Sequence, residues 1–126
     1  MKKILIIDDN RDAADMLASI LELKGHLALA SYGPAHGLLT LKEFAPEIVF
    51  LDIGMPEMNG YQVAAKIRLD LDIQQPYLIA FTAWDDASSV AQAKRAGFDR
   101  HMTKTSTFEV LMSAIDDVTE TAQGHP

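Results

Sequence analysis

Short apolar runs alternate with amphipathic stretches along most of the chain. Runs of strand length, rich in β-branched and aromatic residues, predict five strands over residues 4–7, 26–31, 48–51, 77–81 and 98–103. The segments that separate them, and the one that follows the last, carry apolar residues at helical spacing. About five βα repeats of this kind predict a parallel sheet with helices on both faces, which is an α/β architecture.

Capping residues mark the starts of the first three predicted helices. Asn10 is an N-cap for a helix over residues 11–24, and Pro34 opens the second helix. Asn59 and Gln62 stand three residues apart, as the two partners of a capping box do, so the third helix begins there. Each of these helices is expected to pack an apolar stripe against the sheet.

The fourth predicted helix has the weakest apolar face. Asp85 with Ser88 indicates its start. Its inward positions are mostly small, namely Ala87, Val90, Ala91 and Ala93. Because burial of small side chains contributes little hydrophobic free energy, we expect this helix to be held less firmly than its neighbours.

The fifth predicted helix begins at a second apparent capping box, formed by Ser106 and Glu109. Its buried stripe is predicted at Phe108, Leu111, Met112, Ile115 and Val118. Residues 119–126 are predicted to fray. We therefore expect one domain over residues 1–120 and a C-terminal tail over residues 121–126.

Composition narrows the class of protein. With 126 residues and 48% hydrophobic content, the chain can bury one core without disulfides, and it has no cysteine. The formal net charge of -7 argues against direct binding to nucleic acid or to an anionic membrane surface. The N-terminal apolar run meets Asp8 too soon for a signal peptide or a membrane span. These features predict a soluble cytoplasmic protein.

Polar residues stand at the C-terminal ends of four predicted strands. Asp8 and Asp9 follow the first strand and Asp52 follows the third, while Thr82 and Lys104 end the fourth and fifth. In a parallel sheet these ends share one edge, so the groups should converge. Three neighbouring carboxylates repel one another, and oxygen ligands without cysteine or clustered histidine favour bound Mg²⁺. We expect Asp9 and Asp52 to bind it directly and Asp8 to act through water.

This set of residues suits phosphoryl transfer to a carboxylate. Asp52 is the predicted nucleophile, and the transferring group spreads its charge over three equatorial oxygens. Mg²⁺ would take one oxygen and the Lys104 ammonium another. The Thr82 hydroxyl with the Ala83 backbone N–H would take the third. The pattern therefore predicts a phosphoacceptor site.

Four motifs in this order resemble the receiver domain of two-component response regulators over nearly the whole chain. They are Ile6-Ile7-Asp8-Asp9-Asn10, the run from Leu51 to Gly60, Thr82-Ala83 and Lys104. The resemblance implies a flavodoxin-like, doubly wound sheet of five parallel strands in the order 2-1-3-4-5, with five helices. It also implies that Asp52 takes a phosphoryl group from phosphohistidine on a histidine kinase or a histidine phosphotransfer domain. Phosphorylation would then switch the face of the fourth helix, fifth strand and fifth helix for a downstream protein target.

The family analogy implies further roles and marks one departure. The Gly54 backbone carbonyl would complete the metal ligands, Thr82 and His101 would form the switch, and Trp84 would control water access to the phosphoryl group. The family usually has a cis proline after the lysine, whereas this chain has Thr105. A non-proline cis bond costs roughly 3 to 4 kcal/mol, so the loop either carries this strain or runs trans along another path.

Other functions stay open at this point. A small Mg-dependent phosphohydrolase working through an aspartyl-phosphate would share the fold type, but such enzymes generally carry a second aspartate where Gly54 stands. A flavin-binding electron carrier would need a phosphate-binding loop rich in Gly, Ser or Thr after the first strand. We expect a signalling module rather than an enzyme acting on other molecules. It is either a stand-alone receiver, which the start at Met1 favours, or part of a larger hybrid kinase or regulator.

Overall fold

A five-stranded parallel sheet forms the centre of the computed structural model, which describes residues 1–124, with side chains through residue 118. The strands follow the order β2-β1-β3-β4-β5 and every neighbouring pair is parallel. Their bounds are β1 Lys3–Ile7, β2 Leu27–Ser31, β3 Ile48–Leu51, β4 Tyr77–Thr82 and β5 Arg100–Thr103. This is the flavodoxin-like topology that was predicted, and the prediction is confirmed.

Five helices cover the two faces of the sheet in the described part of the chain. They are α1 Arg11–Leu23, α2 Pro34–Phe44, α3 Gly60–Leu69, α4 Ala87–Ala96 and α5 Phe108–Gly124. Asn10 caps α1 by accepting a hydrogen bond from Ala13 N, and Asn59 and Gln62 form the predicted capping box of α3. None of the described helices is long and apolar enough to cross a membrane.

Alternate residues of the central strands point to opposite faces and build two cores. Ile4, Ile6 and Phe50 pack in one cluster with the buried stripes of α1 and α5. Leu5 and Ile7 belong to the other cluster, together with buried residues of α2, α3 and α4. Because both faces of β1 and β3 are covered, β3 and the last four residues of β1 are continuously apolar, as is typical of the interior of a parallel sheet.

The start of α4 lies one residue later than predicted. Asp86, and not Asp85, is the N-cap, since its carboxylate accepts hydrogen bonds from the backbone N–H and the hydroxyl of Ser89. The buried face is also narrower than the predicted one, because Ala93 is its buried residue while Val90 is 39% exposed. The low burial agrees with the expectation of a weakly held helix.

Two predictions about α5 are wrong. At the N-terminus of the helix, Val110 N donates a hydrogen bond to the Thr107 hydroxyl. A single cap at Thr107 therefore replaces the expected capping box of Ser106 and Glu109. Phe108, the first helical residue, is 39% exposed and so does not belong to the buried stripe. The helix extends to Gly124, into the segment 119–126 where fraying was expected. Residues 125–126 of the predicted tail lie outside the described residues.

Candidate functional site

Asp8 and Asp52 emerge side by side at the carboxyl edge of the sheet. Ile7 of β1 pairs with Leu51 of β3, and Asp52 N donates a hydrogen bond to Ile7 O at 2.9 Å. Both aspartates are buried, whereas the neighbouring Asp9 is exposed. One carboxylate oxygen from each of the three lies within 4.8 Å of the others. The predicted convergence of the three carboxylates is therefore present in the structure.

Lys104 reaches this cluster from the end of β5. Its Nζ lies 2.7 Å from Asp8 Oδ2 and 3.6 Å from Asp52 Oδ1. Its backbone N–H donates to Thr82 O at 2.8 Å, which fixes the loop against the end of β4. The peptide bond to Thr105 is trans, as are the other peptide bonds of the described chain. Lys104 thus lies at the carboxylates although Thr105 stands where the family usually has a cis proline.

Burial and charge perturb the ionisation of the cluster. Burial, and after it the nearby Asp8 carboxylate, raise the pKa of Asp52 to about 6, although the charge of Lys104 and the hydrogen bond from Gly54 N oppose the increase. Burial alone lowers the pKa of Lys104, but its hydrogen bond to Asp8 and the charge of Asp52 outweigh this effect and raise it. Because burial and a neighbouring carboxylate disfavour the ionised form of Asp52, a cation bound beside it would stabilise that form.

The donor set fits a hard divalent cation. All the candidate side-chain ligands are carboxylate oxygens, which Mg²⁺ prefers. The two oxygens of Asp8 already accept hydrogen bonds, one from Lys104 Nζ and one from Asn10 N at 3.0 Å. The buried Asp52 has similar partners, because its Oδ1 accepts a hydrogen bond from Gly54 N at 3.4 Å and lies 3.6 Å from Lys104 Nζ. That Asp9 and Asp52 bind a cation directly and Asp8 through water stays a prediction.

Thr82 and Trp84 lie on the β4 side of the cluster. Thr82 is the last residue of β4 and is buried, and its hydroxyl accepts a hydrogen bond from Trp84 N at 3.4 Å. Ala83 stands between them, so its backbone N–H belongs to the same turn. The Trp84 ring lies beside Gly54, where an added Cβ would be 3.0 Å from Cη2 of the indole. The structure thus brings the predicted gate residue next to the loop that follows Asp52.

His101 lies on β5, opposite Ala80 of β4. Its Nε2 is buried and has no hydrogen-bond partner. The ring lines a groove of about 410 Å³ between α4 and β5, together with Val90 and Phe98. His101 is therefore next to α4. It comes two residues before the end of β5, away from the carboxylate cluster.

Two residues near the cluster were given no role from the sequence. Gly60 begins α3 against the backbone of Asp52, where an added Cβ would lie 2.3 Å from the Asp52 carbonyl oxygen. A glycine at the first position of a capped helix is a signal that could have indicated this close approach. Tyr61 donates a hydrogen bond to Ser89 O in α4, and such a contact between helices has no sequence signature.

Fold and site together define a class: doubly wound α/β proteins with three carboxylates and a lysine at the carboxyl edge of the sheet. The sequence model of the response regulator receiver domain matches residues 4–116. The chain therefore belongs to the response regulator receiver domain family.

Similar proteins agree with this assignment. Protein PilH of Pseudomonas aeruginosa is 30% identical over 94% of this chain and 98% of its own length. The chemotaxis protein CheY homolog of Campylobacter jejuni is 30% identical over 97% and 95%. A two-component response regulator from Clostridium difficile has a similar fold, with a TM-score of 0.87 at 23% identity over 95% of this chain and 97% of its own.

Proposed function

We propose that this receiver domain is a phosphoacceptor of a two-component phosphorelay. Asp52 takes a phosphoryl group from phosphohistidine on a histidine kinase or a histidine phosphotransfer domain, in a Mg-dependent reaction. The observation that carries the proposal is the position of the buried Asp52 carboxylate, 3.6 Å from Lys104 Nζ and within reach of two further aspartates. A cytoplasmic location, expected from the sequence, is part of the same proposal.

The transfer forms one bond and breaks another. An ionised Asp52 oxygen attacks phosphorus, the P–N bond to the donor imidazole breaks, and the imidazole leaves with the electron pair of that bond. Because the pKa of Asp52 is raised to about 6, most of this carboxylate is ionised at neutral pH. A moderately raised pKa also preserves basicity and hence nucleophilic strength.

The surrounding groups would balance the charge of the phosphoryl oxygens. Lys104 supplies an ammonium to one oxygen, and the Thr82 hydroxyl with the Ala83 backbone N–H supplies donors to another. A bound Mg²⁺ would neutralise further negative charge on the phosphoryl group. Asp9, Asp52 and the Gly54 backbone carbonyl would hold this ion, with Asp8 acting through water.

The proposed output is a change in the face made by α4, β5 and α5, which a downstream protein target binds. Thr82 and His101 would link this face to Asp52, since Thr82 ends β4 next to the cluster and His101 lines the groove beside α4. The low burial of α4 supports a role in such a switch, because a weakly held element costs little free energy to move.

The proposal gives the protein no enzymatic activity on other molecules; it catalyses only its own phosphorylation and dephosphorylation. A phosphohydrolase of this fold type would need an acid–base side chain at position 54. Gly54 provides none, and the Trp84 ring already lies where such a side chain would project.

Intact-protein mass spectrometry tests the proposal. After incubation with Mg²⁺ and acetyl phosphate, we expect the wild type to gain the mass of one phosphoryl group, and Asp52→Asn to gain none. Omission of Mg²⁺ with added chelator should abolish the gain in the wild type. An unmodified wild type, or an equal gain in both proteins, would contradict the role of Asp52.

A further inference from the structure

The two ends of α4 are fastened unequally. Gly97 ends the helix with a φ of +110°, and Phe98 N then donates to Ala93 O, so that Phe98 enters the core. Ala93, near the same end, is the buried residue of the helix. The first turn is mostly exposed, and the hydrogen bonds that its N-cap Asp86 makes among the described residues stay within the turn, to Ser89 and Val90. The C-terminal end of α4 is therefore the packed end.

Arg68, near the end of α3, fixes this packed end further. Its Nε donates to Gly97 O at 2.9 Å, and its Nη2 lies 2.7 Å from Asp99 Oδ2. Its Nη1 donates to Gln75 Oε1 and to Pro76 O at 2.8 and 2.9 Å. An added Cβ at Gly97 would lie 2.7 Å from Arg68 Cγ, which leaves no free space there. Rotation of α4 would therefore occur about this end.

The first turn of α4 is connected through Tyr61 to the phosphoacceptor loop, which is the segment 52–59 between β3 and α3. The Tyr61 hydroxyl donates to Ser89 O at 3.2 Å. Tyr61 follows Gly60, which contacts the carbonyl of Asp52 and whose N–H donates to Ile53 O at 2.9 Å. The close contact at Gly60 means that a displacement of the Asp52 backbone must also displace the start of α3. It then displaces the Tyr61 ring.

We propose that the Tyr61 hydroxyl is a latch, which holds the first turn of α4 while Asp52 carries a free carboxylate. When the latch opens, α4 turns about its end at Arg68 and Gly97. This inference rests on the proposed function, because the event that opens the latch is phosphorylation of Asp52. A hydrogen bond that is made in one arrangement and lost in the other contributes directly to the free-energy gap between them.

Hydrogen exchange of the unphosphorylated protein tests whether the latch holds α4. We expect Tyr61→Phe to accelerate amide exchange in the first two turns of α4 by about two- to tenfold, the range that one hydrogen bond supports. Exchange in the sheet and at residues 94–98 should stay as in the wild type. Tyr32→Phe is the matched control, since it removes a hydroxyl that bonds Asp15 far from α4.

The same variant tests the coupling to Asp52. If binding at Asp52 opens the latch, then loss of the latch must favour binding at Asp52 by the same free energy. Beryllofluoride with Mg²⁺ is an equilibrium mimic of the phosphoryl group. A protein without the latch should therefore bind it about two- to tenfold more tightly. Isothermal titration calorimetry measures this affinity in the wild type, Tyr61→Phe and Tyr32→Phe. Tyr32→Phe should bind as the wild type does.

The outcomes separate the latch from the proposed function. Unchanged exchange in α4, or equal acceleration throughout the domain, would overturn the latch, the second by showing that Tyr61 serves only packing. Local acceleration with unchanged beryllofluoride affinity would overturn the coupling. A wild type that neither binds beryllofluoride nor gains a phosphoryl group would instead refute the proposed function, and hydrogen exchange would still decide whether Tyr61 holds α4.

Discussion

At the scale of single residues, Gly54 and Trp84 lie together beside the loop that follows Asp52. Trp84 is 50% exposed, yet its ring lies so close to Gly54 that a side chain there would contact it. A large exposed aromatic ring in this position gives up little core stability when it is replaced. Its removal should therefore affect the chemistry of the site more than the fold.

We expect Trp84→Ala to shorten the lifetime of the phosphoryl group on Asp52. Water would reach the acyl phosphate more easily, and the rate of loss should rise by up to about tenfold, which corresponds to about 1.4 kcal/mol of barrier. The decay of the phosphorylated mass after rapid removal of acetyl phosphate, in Mg²⁺ buffer, measures this rate.

Trp84→Phe serves as the control for the tryptophan prediction, because it retains a planar ring. Its rate of loss should lie between those of the wild type and the alanine variant. Equal lifetimes for Trp84→Ala and the wild type would show that Trp84 does not control water access to the phosphoryl group.

At the scale of elements, the start of α3 is fixed by a glycine with no room for a side chain. A Cβ at Gly60 would lie 2.3 Å from Asp52 O and 2.7 Å from Ile53 Cα. Both are backbone atoms of the loop that follows β3, so neither can move aside alone. The capped N-terminus of α3 and the loop that follows β3 thus form one packed unit.

Gly60→Ala should destabilise the protein at the upper end of the range of about 1 to 3 kcal/mol that overpacking costs. The clash with backbone displaces the start of α3, and urea unfolding of purified protein measures the loss of free energy.

Gly33→Ala is the control for the glycine prediction, since an added Cβ there has no neighbour within 4 Å. It should cost less than about 1 kcal/mol, the usual range for a change of N-cap residue without a side-chain bond. Equal losses for both variants would show that the close contact at Gly60 does not set the stability.

The elements that sequence predicted well are those with local signals. Asn59 and Gln62 form a capping box within four residues, and the structure contains it. Asp85 and Asp86 are equally good N-caps by composition, and the choice between them depends on how the preceding turn leaves β4. The exposure of Phe108 depends likewise on where α5 meets the core. Such features are set by tertiary packing, which no short motif encodes.

The convergence of the site residues was predictable for a topological reason. In a parallel sheet, strand ends share one edge, so Asp8, Asp52 and Lys104 had to approach one another once the strands were identified. The contacts of Tyr61 with Ser89 and of Arg68 with Gly97 join helices across the surface. Their partners lie 28 and 29 residues away in sequence, and nothing local selects them.

At the scale of the whole molecule, the acidic site opposes folding. The net charge is -7, and the pKa of Asp52 rises from 3.8 to about 6 on folding. Between these two values the folded protein holds more protons at Asp52 than the unfolded chain does. The free energy of unfolding therefore falls as pH rises through this window, and the full penalty remains at higher pH.

Asp52→Asn should therefore stabilise the metal-free protein at pH 8 by about 1 to 2 kcal/mol, less than the full pKa shift would give because solvent screens part of the repulsion. The gain should be smaller at pH 5.5, where most of Asp52 is protonated in the folded wild type. Urea unfolding in the presence of chelator at the two pH values provides the measurement.

Asp72→Asn, which neutralises an exposed carboxylate after α3, is the control for the charge prediction. It should change the stability by less than about 0.5 kcal/mol at either pH. A gain for Asp52→Asn that is equal at pH 5.5 and pH 8 would contradict the linkage to Asp52.

The shallow burial of α4 also bears on how the domain can evolve. Since Ala93 is the buried residue of this helix, most of its other positions can change sequence with little loss of folding free energy. If α4 belongs to the proposed binding face, mutations there should alter what the domain recognises while the carboxylate cluster at the strand ends stays intact. For protein engineering, the outer face of α4 is accordingly the place for a combinatorial library that seeks new binding specificities.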